Sequence, residues 1–396
     1  MKKILVFGTA YYPIESGAEI AIKEIIKRTS DFEFDVITAR LDRHLSRYER
    51  YGGTNIYRVG IGNKFIDKFF YLPIFGFLKA VSLHKKNHYC FIWSLMASQA
   101  GVAAAFFKIK NPDIKLLLTL QEGDEEEYLK RYVLNNEFLY KIFIKPWHIL
   151  VFRKADYITA ISNYLKIRAQ KNGAKCQIEV VPNAVDLKNF RKEFTEADLT
   201  ELKVKLGKKD GDRFIIHTGR LVFKNALSDV IKALAYLPEN IKFLSLGKGE
   251  KKKELEDLAC RLKLSARVIF LDFISHEELP KYLKISDVFV RPSLSEGLGN
   301  SFLEAMVAGV PIVGTPVGGI PDFLIDPSIN SEQATGLFCE ARNPKSIAEK
   351  VKIFLSNTEL KNKIVAKAKK MIEENYDWDL IAKKMRDIFY KLCREN

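Results

Sequence analysis

Two carboxylates, Glu296 and Glu304, stand eight positions apart in the stretch RPSLSEGLGNSFLEAM, residues 291–306. Gly297 and Gly299 lie between them, and Ser301 precedes Glu304 by three positions. Carboxylate oxygens accept hydrogen bonds from hydroxyl groups. Glycines let the backbone take positive φ and come close to a ligand. The helical pattern begins near Ser301, and the unpaired N–H groups of a helix start attract anions. Together these features suit a ligand carrying both sugar hydroxyls and phosphate. The same letters also fit a capping box, Ser301-x-x-Glu304, in which the glutamate bonds the backbone at its own helix start. A cap requires neither Glu296 nor the glycines, and the two readings are compatible.

Other stretches carry weaker signals of the same kind. In HTGRLVFKN, Arg220 and Lys224 directly follow an apolar run. A guanidinium fork and a compact ammonium suit a diphosphate; a solvated turn is the plainer alternative. In GTAYYPIESGAE, Ser16-Gly17-Ala18 leads into a helical pattern, so its amides suit phosphates or a sugar, or serve an ordinary strand–helix loop. No G-x-G-x-x-G is present there, which counts against a dinucleotide fingerprint. GTPVGGIPD places Gly318 and Gly319 after another apolar run, as a second loop of close approach. Asp377-Trp378-Asp379 matches a metal-binding D-x-D string, but it opens the last helical pattern, where acids complement the dipole. The acid run Asp124–Glu127 reads as a solvated loop on the acceptor side. No metal ligand set is expected.

The elements that must position these residues alternate along the chain. KILVFG, FDVITA, CFIWSL, KLLLTL, YITAIS and IEVVPN read as buried strands, with amphipathic segments such as AEIAIKEIIKR between them. A second series runs through RFIIHTGR, KFLSLG, RVIFLD, DVFVRPS and PIVGT. Strand–helix alternation of this kind builds parallel, doubly wound sheets. The polar segment around residue 192 separates the series. The expected fold class is α/β: two Rossmann-like domains, residues 1–192 and 193–375, facing across a cleft, with a helix over 376–396 returning to the first. Ligands of such sheets bind at the carboxyl ends of strands.

Bulk properties narrow the function classes. With 47% hydrophobic and 29% charged residues, the 396-residue chain is globular and long enough for two cores. Five scattered cysteines form no C-x-x-C pair and read as reduced thiols, which places the protein in the cytoplasm. The apolar run of MKKILVFGTAYYP is too short for a signal peptide. Of the net +15, residues 1–192 carry +12 and the remainder +3. The first half should therefore face something anionic. No nucleic-acid motif is present, so nucleic acid is not an expected partner. Residues 45–90 hold eight Lys/Arg against two acids, and aromatics flanked by lysines there suit peripheral association with an anionic membrane. Core helices with solvated lysines are the alternative. Pro73 and the internal charges argue against a membrane span.

Taken together, PSLSEGLGNSFLEAMVAGVPIVGTPVGGIPD, GRLVFKN, VVPNAVD, SGAE, LSLGKGEKKKEL and YDWDLIA resemble the GT-B retaining glycosyltransferases of family 4, over nearly the whole chain. The resemblance implies a hexose-type transfer from a UDP- or GDP-sugar to a glycan or lipid-linked acceptor, with no cofactor and no metal. It implies catalytic roles for Arg220, Lys224 and Glu296. Glu304 would bond the ribose and Glu296 the transferred sugar. Gly297, Leu298, Gly299, Asn300 and Ser301 would line the sugar and phosphate, with Gly219 beside Arg220. Gly17 would approach the phosphates, and Ile274 would lie by the base. Gln121 and Glu122 would stand on the acceptor and sugar side, with Gln121 where the family commonly has His. No residue is marked as a nucleophile, so front-face attack is implied, the leaving phosphate helping to deprotonate the acceptor. A sugar-nucleotide epimerase on the same fold, or a basic non-catalytic binding protein, are the rival readings.

Overall fold

The computed structural model describes residues 1–14, 17–121, 130 and 135–394. These fall into two compact units, residues 1–183 with 378–396, and residues 184–377. The division lies at 183/184 rather than near 192. The reason is local packing: the Asn189 side chain donates to the His276 carbonyl at 2.6 Å and Phe190 meets the His276 ring edge-on at 4.8 Å. Polar composition marks a surface segment, and this one is a surface segment of the second unit.

The first unit contains β1 (Lys2–Phe7), β2 (Phe32–Ala39), β3 (Tyr48–Tyr51), β4 (Thr54–Val59), β5 (Phe91–Leu95), β6 (Lys115–Leu120), β7 (Tyr157–Ala160) and β8 (Gln177–Val180). They form one sheet in the order β3-β4-β2-β1-β5-β6-β7-β8. All neighbours are parallel except the hairpin β3–β4, which turns at Gly52 and Gly53. That hairpin lies in the basic stretch YERYGGTNIYRV and was not among the expected strands. Ile4–Phe7 and Phe91–Trp93 are wholly buried, as continuous apolar runs in a two-sided parallel sheet must be. The order reverses between β1 and β5, so the loops leaving these two strands open onto a switch point.

The helix Trp378–Arg394 packs on this sheet. Its Phe389 ring lies 5.1–6.1 Å from those of Phe32, Phe34, Phe91 and Trp93. The thiols of Cys90 and Cys393 also meet there; burial first, then this hydrogen bond, pushes the Cys393 pKa up to about 12. No cysteine of the described residues is in a disulfide.

Residues 64–87 form a helix that passes through Pro73, with π-helical geometry from Asp67 to Gly76. The widened turns absorb the proline's missing donor. No helix among the described residues is long and apolar enough to cross a membrane.

The second unit holds β9 (Arg213–Thr218), β10 (Ile241–Leu246), β11 (Val268–Leu271), β12 (Val288–Arg291), β13 (Ile312–Gly314) and β14 (Leu337–Phe338). Its sheet is parallel throughout in the order β11-β10-β9-β12-β13-β14. One core face gathers Val230, Phe243, Val288, Val351 and Phe354. Here the order reverses between β9 and β12, and the two motifs GRLVFKN and SEGLGN leave those two strands.

Candidate functional site

The switch point of the second sheet brings most of the expected site residues onto adjacent loops. Gly219, Arg220 and Lys224 follow β9; Glu296–Ser301 follow β12; Ile274 follows β11. Backbone contacts lock these loops together. The amide of Leu294 donates to the Lys224 carbonyl at 2.7 Å. The amide of Gly319 donates to the Glu296 carbonyl at 3.0 Å. A Cβ at Gly318, where φ is +58°, would stand 1.9 Å from that carbonyl oxygen, so only glycine fits. Gly247 serves the same purpose after β10: a Cβ there would lie 2.0 Å from the Gly219 oxygen. The tight turns exist so that backbone can stack on backbone.

Glu296 is buried, and its carboxylate is held by Arg291 at 2.5 Å. The same guanidinium donates to Ser301 Oγ at 2.8 Å and Asn225 Oδ1 at 2.9 Å, and lies over the Phe302 ring. Asn225 in turn donates to the Arg220 carbonyl at 2.6 Å. One buried cation thus orients Glu296, the first turn of the next helix and, through Asn225, the Arg220 loop. His217 is fully buried nearby; burial, and then the Arg291 charge, keep its pKa well below the usual imidazole value. It is neutral, which spares the pocket a second cation.

Glu304 has a different neighbour. Its Oε1 lies 3.1 Å from His276 Nε2 at the end of the loop that carries Ile274. The capping box is therefore not formed. The helix Asn300–Ala308 has Gly299 as its N-cap, at φ +98°, and no side-chain cap. Ser301 sits inside the first turn and faces Arg291. The expected start near Ser301 is one residue late, because Gly299 supplies the left-handed turn. Glu304 lies one turn further along and is released to face His276.

Arg220 is exposed and Lys224 half-buried. Asn300 and Ile274 are half-buried, while Gly297 and Leu298 are buried. In the first unit, Gly17 begins the helix Gly17–Arg28, and a Cβ there would meet nothing within 4 Å, so the fold itself does not demand glycine. Gln121 follows β6 and exchanges two hydrogen bonds with Asn183, at 2.8 and 2.7 Å. Ser16, Glu122 and the acid run Asp124–Glu127 lie outside the described residues. Asp379 pairs with Arg28 at 2.7 Å. No cluster of three or more His, Cys, Asp or Glu suited to a metal occurs among the described residues.

Sequence reasoning missed Arg291, Asn225, His217 and His276. All four stand inside or beside recognised motifs, yet nothing in a single sequence says which polar residue will be buried. Asn225 ends GRLVFKN, and Arg291 is an arginine at the end of a buried strand; either oddity was a usable signal.

The fold is shared with solved GT-B glycosyltransferases. A crystal structure of the Anabaena protein HepE in complex with UDP-glucose superimposes with a TM-score of 0.76 over 99% of this chain and 100% of that one, at 18% identity. The family model Glycosyltransferase Family 4 matches residues 16–189, and Glycosyl transferases group 1 matches 198–371. The chain belongs to the GT-B, family 4-type glycosyltransferases. An uncharacterized glycosyltransferase of Methanocaldococcus jannaschii is 26% identical over 92% of this chain and 90% of that protein. The alpha-monoglucosyldiacylglycerol synthase of Streptococcus pneumoniae is 24% identical over 78% and 70%.

Proposed function

We propose that this glycosyltransferase moves a hexose-type sugar from a UDP- or GDP-sugar to an acceptor hydroxyl on a glycan or lipid-linked saccharide, with retention and without a metal. The observation that carries this is the pair of glutamates after β12, one held by Arg291 and one beside His276, on a segment whose backbone bonds the β9 loop that carries Arg220 and Lys224. Complexes with UDP-glucose among the structural neighbours support the donor class.

In this reading Glu304 accepts from the ribose and Glu296 from the transferred sugar. Leu298, Gly299 and Asn300 offer backbone amides, and Ile274 borders the base. Arg220 and Lys224 neutralise the diphosphate as it leaves, supplying charge that a divalent ion would otherwise bring. Gln121, after β6 of the first unit, serves the acceptor side. The departing phosphate oxygen takes the acceptor proton on the face where the new bond forms. Rate enhancement then comes from positioning and charge stabilisation, not from a covalent intermediate. The five unbridged thiols favour a cytoplasmic setting.

A thermal-shift panel of sugar nucleotides tests the donor, since a ligand of the native state raises the melting temperature by mass action. Stabilisation by a UDP- or GDP-sugar, with chelator present, is expected, followed by a product of unchanged anomeric configuration by NMR. No shift with any such donor, an inverted product, or an epimer formed without acceptor would each overturn the proposal.

A further inference from the structure

The helix over residues 64–87 displays an apolar ridge to solvent. Phe65 and Phe70 are 60% and 61% exposed, and Ile74, Phe75 and Leu78 are about half exposed. The Phe65 ring lies 6.3 Å from that of Phe70, and the wide π-helical turns bring side chains four and five apart to one side; the return to α-helix adds Leu78, four after Ile74. Rings contact one another along it, Phe65 to Phe69 at 4.8 Å and Tyr71 to Phe75 at 4.9 Å. Soluble proteins seldom present contiguous apolar surface of this kind without an occupant.

Charge identifies the occupant. Between Gly62 and Tyr89 the sequence holds Lys64, Lys68, Lys79, Lys85 and Lys86, and a single acid, Asp67. Asp67 is turned inward and fully buried, its carboxylate accepting from the amides of Ile61, Gly62 and Asn63. A Cβ at Gly60 would stand 2.2 Å from its Cγ, so the loop is built around this buried acid. Among the described residues of this helix, the outward face is therefore apolar and cationic. A second strip adjoins it in the same unit. The rings of Phe77, Phe106 and Trp147 touch in sequence at 6.2 and 5.8 Å. They lead to exposed Phe138 and Ile142 and to a groove lined by Lys141, Lys145 and Arg153, where Lys141 pairs with Glu137 at 3.4 Å.

We infer that this face of the first unit, the ridge Phe65–Leu78 with its flanking lysines, is a docking surface for an anionic lipid bilayer. Aromatic and aliphatic side chains enter the interface while the lysines meet lipid phosphates. A second copy of the chain is disfavoured, because an isologous contact would set the lysines of one ridge against those of the other. The inference stands apart from the donor reading and survives its failure.

The test is co-sedimentation of the full chain with vesicles of phosphatidylcholine alone or mixed with phosphatidylglycerol. Binding to the anionic vesicles, weakened by salt, is expected. Phe70→Ser/Phe75→Ser and Lys64→Glu/Lys68→Glu should each lower partitioning by about tenfold or more, while Val204→Ser, at an exposed site of the second unit, should not. Thermal unfolding checks that the variants fold, and Leu78→Lys repeats the test should either double variant fail. Wild-type protein left in the supernatant with anionic vesicles would overturn the inference. So would ridge variants that bind as wild type, or a wild-type dimer that the ridge variants turn into monomers.

Discussion

The loops after β9 and β12 and the ridge of residues 64–78 use charge in opposite ways. At the switch point the cation is buried: Arg291 is 8% exposed and donates to three partners on two loops. On the ridge the acid is buried, while Lys64, Lys85 and Lys86 are exposed. The first arrangement spends charge on fixing geometry, and the second keeps it for a partner. Burying an ion pair brings little net stability, because desolvation opposes attraction, but losing one member leaves the other uncompensated. Substitutions at the switch point should therefore be costly and coupled, and those on the ridge nearly silent until a partner is added.

The sharpest break in this comparison is Arg291→Ala, expected to cost about 3–5 kcal/mol by chemical denaturation. Arg291→Ala/Glu296→Ala should recover part of that loss, since no buried carboxylate is then orphaned. A double variant as damaged as the sum of its singles would mean that the pair is not coupled. Next in size, Arg220→Ala/Lys224→Ala should lower turnover by about 10²–10³ or more, with folding intact; near-normal turnover would remove both residues from the leaving-group role. Gly318→Ala should cost about 1–3 kcal/mol, from a side chain forced into positive φ and against the Glu296 carbonyl. If its melting temperature is unchanged, the two loops are not locked as described.

A fourth expectation concerns pH. His217 binds fewer protons folded than unfolded, because its folded pKa is depressed. Its contribution is complete above about 6.5 and is lost as pH falls below that value, by at most about 1.4 kcal/mol per unit. His84 and His148 are depressed too, His148 to about 4, so the measurement is the difference between wild type and His217→Gln. The variant should have the shallower acid slope; parallel slopes would show that His217 does not titrate on unfolding. Smallest of all, Leu78→Lys should change stability by no more than about 0.5 kcal/mol. A loss several times larger would make the ridge part of the core and erase the contrast.

Most of the architecture was legible because buried parallel strands are short apolar runs. RFIIHT and DVFVR read as strands and are strands. The hairpin Tyr48–Val59 was not legible, because its residues are polar and charged at the sheet's edge. The two glutamates were recognisable from spacing, and so were the glycine loops. Their partners were not. Ser301-x-x-Glu304 has the letters of a capping box, yet Gly299 takes the cap and the two side chains turn to Arg291 and His276. A local pattern states what a segment can do alone. Which option is taken depends on residues that the fold brings from far along the chain, as Asn225 reaches Arg291 across 66 positions and Asn189 reaches His276 across 87.

The first unit is discontinuous: residues 378–396 complete it, after the whole of 184–377 has intervened. On a ribosome, the second unit is therefore made in one uninterrupted stretch and has every residue it needs before the first does. Until Phe389 emerges, the rings of Phe32, Phe34, Phe91 and Trp93 have no cover from that helix. The unit synthesised first is thus the last to close, and for the time it takes to translate about half the chain it presents an aromatic surface of the kind that chaperones bind.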